Sequence, residues 1–185
     1  MKADFRVFLD ACVLANYGVC DLLLRLAERP RQYLPLWSED VLGETYRTHT
    51  ERLGWPEGLA ASFGRELRAH FPEALTSGYA HLLPAVTNDL KDRHVLAAAI
   101  HAGADVILTF NLKDFPDEAL APWGIAARHP QDYLLTLYEM DGKQVVSRVA
   151  AIAAKRGLSQ EDVLLRLGKS LPAFATRLLD DLRLG

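Results

Sequence analysis

No stretch of this sequence is apolar for long enough to cross a membrane as a helix, which takes about 18 or more consecutive apolar residues. Half of the residues are nonetheless hydrophobic, enough to bury a real core in a chain of 185 residues. Cysteine is scarce: Cys12 and Cys20 have neither the spacing of a zinc site nor a disulfide framework, which fits a reducing cytoplasm. The opening MKADFRVFLDAC carries charges at Lys2, Asp4 and Arg6 and lacks the apolar centre of a signal peptide. Positive charge is not in excess either. A net charge of −3 excludes nucleic-acid binding by bulk charge alone. It does not exclude an enzyme acting on nucleic acid, because carboxylates that hold divalent cations add negative charge of their own. G-x-S-x-G, H-E-x-x-H, the phosphate loop and G-x-G-x-x-G are all missing. His94 and His101 share a helix face with no third zinc ligand, and no nucleophile–base pair can be named.

What the sequence does have is concentrated in residues 88–116, NDLKDRHVLAAAIHAGADVILTFNLKDFP. Asn88 or Asp89 can cap a helix whose body, Leu90 to Ala102, is rich in Ala and Leu and stops at Gly103. At about 100° per residue, Asp92 shares a stripe with Val95, Leu96, Ala99 and Gly103, the stripe the helix should bury. A charge at the head of a buried stripe needs a partner. Otherwise it is a second capping carboxylate, and both readings stand at this point. Ala104 to Phe110, ADVILTF, is an apolar run without alternation, as in a strand covered on both faces of a parallel sheet. Asn111 and Asp114 follow it directly. Ligands of open α/β sheets bind outside the carboxyl ends of the strands.

Phe5 to Leu9 reads as a first strand, and Asp10 at its end repeats the placement of Asn111 and Asp114. A helix should run from about Ala15 to Glu28, followed by a weak strand at Tyr33 to Trp37. Ser38 caps a further helix that carries Glu39, Asp40 and Glu44 and continues towards Arg52. Leu59, Phe63, Leu67 and Phe71 recur at four-residue spacing in a broken helical stretch, Gly54 to Ser77, and read as core. Gly124 to Ala127 can add one more strand. Four helices complete the chain: Gln131 to Glu139, Lys143 to Arg156, Ser159 to Leu167 and Pro172 to Leu182. Ser159 and Asp162 form an approximate capping box. The order predicts an α/β, three-layer sandwich with a central, mostly parallel sheet over residues 1–130 and a helical extension over residues 131–185. The extension must bury its apolar faces on the core, a second subunit or a partner segment.

Asp10, Glu44, Asp92 and Asp114, with Asn111 alongside, are the groups this reading brings to one rim. Such a crowd of carboxylates would repel without a cation. Oxygen ligands suit a hard divalent ion such as Mg²⁺, and paired ions about 3.5–4 Å apart can activate water for phosphodiester cleavage. The stretches FLDACVLAN, SEDVLGETYR and NDLKDRHVLAAAIHAGADVILTFNLKDF, and less specifically HPQDYL, make the sequence similar to the PIN-domain nucleases, in particular the VapC-like toxins of type II toxin–antitoxin pairs. The resemblance spans roughly residues 4–133. It implies a PIN-like sandwich, Asp10, Glu44, Asp92 and Asp114 as metal-binding catalytic carboxylates for Mg²⁺ or Mn²⁺, and a water nucleophile. Asn111 is auxiliary in that scheme. A cognate antitoxin and a homodimer are implied as well. Cys12 departs from the pattern, standing where relatives carry Asn, Ser or Thr.

Lys91, Arg93, Lys113 and Arg47 lie beside the acids and can hold phosphates, or simply balance charge. A wide rim suits single-stranded or looped RNA better than duplex. The sequence therefore predicts a cytoplasmic, metal-dependent endoribonuclease that is not bound to a membrane. The alternative, motivated by Cys12 and the helical tail, is a catalytically silent PIN-like module that binds RNA or protein.

Overall fold

The computed structural model describes residues 5–184; Lys2 and Asp4 lie outside them. Five strands form one sheet in the order β3 (Leu75–Thr76), β2 (Leu34–Ser38), β1 (Arg6–Leu9), β4 (Val106–Leu108) and β5 (Ala126–Arg128). All four pairings are parallel, so the expected mostly parallel sheet is parallel throughout. Val7 sits opposite Pro35 on one side and Val106 on the other. Val7, Phe8, Leu9, Ile107 and Leu108 are fully buried, as continuous apolar runs in central strands require. Each of the larger ones contributes about 2–3 kcal/mol by leaving water. Pro35 is tolerated because β3 pairs with β2 only from Trp37 onwards, leaving an open edge there.

The helices are α1 (Ala11–Ala15), α2 (Tyr17–Ala27), α3 (Glu39–Arg47), α4 (Glu57–His70), α5 (Arg93–His101), α6 (Asp117–Leu120), α7 (Pro130–Arg156), α8 (Gln160–Leu167) and α9 (Pro172–Leu184). From β1 the chain moves one place along the sheet to β2, and β4 returns to the opposite flank of β1. Right-handed crossovers in opposite directions place their helices on opposite faces, which gives the three layers. The strand order reverses between β1 and β4, and the crevice outside their carboxyl ends is where such sheets bind ligands.

Several local expectations need correction. The helix expected from Ala15 to Glu28 is α2, capped by Asn16, whose amide donates to Ser170 Oγ at 2.9 Å and accepts from Val19 N–H, while Ala11–Ala15, expected only to lead into it, forms the separate α1. Of the four apolar residues at four-residue spacing, Leu67 and Phe71 are buried, Phe63 is half-buried, and Leu59 is 54% exposed. A four-residue step overshoots a helical turn by about 40°, so four in a row cannot share one buried face. Beyond α3 the chain continues as a π turn, Thr48–Arg52, where the buried His49 ring stacks on Trp55 at 3.9 Å.

The extension packs on the chain's own α2 through α7 and α8, with α9 against both. Val145, Val149, Ile152, Val163, Leu164, Leu167, Phe174 and Leu178 join the same buried cluster as the sheet. Arg156 Nη2 meets Asp21 Oδ2 at 2.6 Å across that contact. The first two expected tail helices are halves of α7, divided by non-helical backbone at Asp141 (φ −147°, ψ 72°). Asp141 Oδ1 caps the second half by accepting from Gln144 N–H at 3.0 Å. The Ser159–Asp162 capping box is present in both directions.

Candidate functional site

Asp10 leaves β1 at the point of strand-order reversal and caps α1, its Oδ1 accepting from Ala11 N–H at 2.6 Å. Its Oδ2 accepts from the Thr109 hydroxyl at 2.7 Å and from the Cys12 thiol at 3.1 Å. Thr109 is brought there by β4, whose Leu108 carbonyl accepts from Asp10 N–H at 3.1 Å. Burial, and then the Asp10 charge, push the Cys12 thiol up to about 12, so it stays protonated and donates. The sulfur in turn accepts from Phe110 N–H at 3.3 Å. Cys12 thus makes the kind of hydrogen bond that Asn, Ser or Thr would make at its position. Asp10 is held by three donors while only 4% exposed.

Asp89 caps the 3₁₀ turn Leu90–Asp92 by accepting from Lys91 N–H at 3.1 Å, and α5 begins only at Arg93. Leu90, expected in the helix body, is exposed in that turn. Asp92 stands at the N-cap position of α5, but its side chain makes no capping hydrogen bond. The capping reading is therefore wrong for Asp92. Its Oδ2 is sealed from solvent without a hydrogen-bond donor, and the nearest cation, Lys91 Nζ, is at 3.5 Å. Burial, then the Asp10 charge, and less strongly Asp114, push the Asp92 carboxyl up to about 6 despite Lys91. Asp114 is buried at the end of the 3₁₀ turn Leu112–Asp114, and its Oδ2 accepts from Lys91 Nζ at 3.0 Å. The Asp114 carbonyl accepts from Asp89 N–H, tying the two turns together.

Glu44, on α3, contacts His94 in the first turn of α5. Its Oε1 lies 3.1 Å from His94 Nε2. Burial of the ring disfavours its cation, but the Glu44 contact, helped by Asp40 and Asp10, outweighs it and raises the His94 pKa. Asp10 is thus felt at both Asp92 and His94. Asn111 is exposed, and its backbone N–H donates to Thr109 Oγ1 at 3.0 Å. Of the four expected phosphate-holding cations, Lys91 is paired with the acids themselves. Arg93 Nε is 3.4 Å from the Asn88 carbonyl. Lys113 is exposed beside Asp114, and Arg47 is exposed on α3 and folded over Gly43. His94 and Thr109 were not among the expected site residues. Thr109 had a signal, a hydroxyl at the end of an otherwise buried run; the partner of His94 is on a distant helix and had none.

Among the described residues, no three His, Cys, Asp or Glu side chains come close enough together to grip a metal as they stand. Lys91 takes up the space between Asp92 and Asp114. The donor set still fits a hard divalent cation. All the converging acceptors are oxygens, and Asp92 Oδ2, buried among like charges, has for a positive neighbour the Lys91 ammonium at 3.5 Å, which it shares with Asp114.

No family model matches the sequence, and no solved structure matches it significantly. The curated proteins include a relative from Mycobacterium tuberculosis, "Putative ribonuclease VapC50", 40% identical over an alignment of 138 residues, with 71% of this chain and 78% of the relative covered. With a parallel sheet that carries its acids at the carboxyl edge and identity at that level over most of both sequences, the chain belongs to the VapC-like PIN-domain nucleases.

Proposed function

We propose that this protein is a Mg²⁺- or Mn²⁺-dependent endoribonuclease that cleaves single-stranded or looped RNA, and the toxin of a toxin–antitoxin pair. The observation that carries the reading is the acidic rim at the β1–β4 reversal, with Asp10, Asp92 and Asp114 within electrostatic reach around a buried, donorless oxygen. The relative's name, a ribonuclease, supports the substrate class. Divalent metal, when bound, supplies neutralising charge and the activation of water that phosphodiester hydrolysis requires. The chain's own part is placement. Asp10, Asp92, Asp114 and Glu44 are the metal-holding carboxylates, and Ala11 N–H, Thr109 and Cys12 fix Asp10 in one orientation. His94 orients Glu44, and Asn111 assists from the loop.

Arg93, Lys113, Lys91 and Arg47 hold the RNA backbone in this reading. Alanine at both Lys113 and Arg93 should flatten the salt dependence of RNA affinity without altering the metal titration. A cellular RNA substrate makes the protein cytoplasmic, and no helix among the described residues is long and apolar enough to cross a membrane. Family membership adds an antitoxin partner and a homodimer; Leu53 and Leu59, each more than half exposed, offer apolar surface for either.

One observation favours the alternative of a silent RNA- or protein-binding module: Lys91 can balance Asp92 and Asp114 without any metal. Incubating a generic single-stranded RNA with the protein in Mg²⁺, against an EDTA control, separates the two. Cleavage in Mg²⁺ alone supports the nuclease. Intact RNA under both conditions, with RNA still bound, supports the silent module.

A further inference from the structure

We infer that Lys91 is a resident counter-cation that keeps the metal position between Asp92 and Asp114 and must be displaced when a divalent ion enters, so that this side chain sets the affinity of the site. The inference rests on the metal-dependent reading above and concerns what competes with the ion.

Lys91 Nζ lies 3.0 Å from Asp114 Oδ2 and 3.5 Å from Asp92 Oδ2, one ammonium shared by two carboxylates on different turns. Those carboxylates are confined, with side chains 7% and 14% exposed, whereas the Lys91 side chain is 64% exposed. The acids cannot leave the rim, and the ammonium can. Its backbone is fixed separately, because Lys91 N–H donates to Asp89 Oδ1, so the stem can swing out without unwinding the turn. An ammonium and a divalent cation cannot share the same two oxygens at a few ångströms without strong repulsion. Entry of the ion therefore requires exit of Lys91. A divalent charge displaces a tethered ammonium far better than K⁺ or Na⁺ does, so the lysine also biases the site against monovalent ions. Once displaced, it remains tethered at the rim with its charge free, where a phosphate of the substrate can take it. Metal and polyanion should then bind with positive coupling.

The test uses the whole chain without RNA, so that activity is not the readout. Mn²⁺ is titrated calorimetrically into the wild type, Lys91→Met and Lys91→Arg, and each is melted in EDTA and in saturating Mg²⁺. Met keeps the stem and removes the charge; Arg keeps the charge. Losing an exposed ion pair to each acid should tighten Mn²⁺ binding by about three- to tenfold in Lys91→Met. Lys91→Arg should stay near the wild type. Lys91→Met should also melt below the wild type in EDTA and close that gap in Mg²⁺. Equal or weaker Mn²⁺ affinity in Lys91→Met overturns the inference while leaving the metal reading intact. No binding heat and no melting shift in any of the three proteins overturns both.

Discussion

At Asp92 the demands of folding and of chemistry pull in opposite directions. The residue can be picked out in the sequence because a charge heads a stripe that must be buried, with Val95, Leu96 and Ala99 behind it. Asp89, one of the two cap candidates in the sequence, does the capping, at the 3₁₀ turn before α5, which leaves the Asp92 carboxyl with nothing to do for the helix. Burial, and then Asp10, raise its pKa to about 6. The native metal-free protein therefore keeps a proton that the unfolded chain has already released, and stability must fall as pH rises from about 4 to about 6. Asp92→Asn removes that penalty. Chemical denaturation in EDTA should find the variant about 1–2 kcal/mol more stable than the wild type at pH 7 and equal to it near pH 4, after discounting for solvent and Lys91 screening. A variant less stable at pH 7 would mean that Asp92 is a structural residue. Thr109 and His94 escaped notice for a different reason: their partners, Asp10 and Glu44, are supplied by other elements, and only the fold shows who meets whom.

Elements were legible where their signals were local. Ser38 and Ser159 mark helix starts by their chemistry, and each caps a helix in the structure. The two-residue β3 had no such signal, because it exists only by pairing with Trp37 and Ser38. Gly103 illustrates how one position serves two elements. It ends α5 at φ +64°, and a Cβ there would stand 3.1 Å from Arg6 Nη1, which donates to the Ala102 carbonyl and ties the end of α5 to β1. Gly103→Ala should cost about 1–2 kcal/mol, from the left-handed backbone and the crowded guanidinium together. A urea titration that gives an unchanged midpoint would show that the turn relaxes freely.

For the molecule as a whole, the question is whether the extension is an ornament or part of the core. Its helical spacing was readable, but not its partner, since a helix face does not state what will cover it. In the structure α7 and α8 cover α2, and Val145, Val149, Ile152, Val163, Leu164, Leu167, Phe174 and Leu178 join the common cluster. Each of these contributes about 1.5–3 kcal/mol when buried, and their sum rivals the whole stability of an ordinary domain, about 5–15 kcal/mol. Deleting residues 141–185 should therefore drop the melting temperature steeply and leave an aggregating protein. A truncated chain that melts like the full one would show that the extension is dispensable.

The central claim, that the acids at the β1–β4 reversal form a metal-dependent ribonuclease site, is tested most directly by one comparison. The rate of Mg²⁺-dependent cleavage of a single-stranded RNA is measured for the wild type and for Asp10→Asn, Asp92→Asn and Asp114→Asn, with circular dichroism confirming the fold of each. The wild type should cleave and each variant should lose at least about 100-fold, since an amide neither carries the charge nor holds a divalent cation as a carboxylate does. Wild-type rates in any two of the folded variants would contradict the assignment.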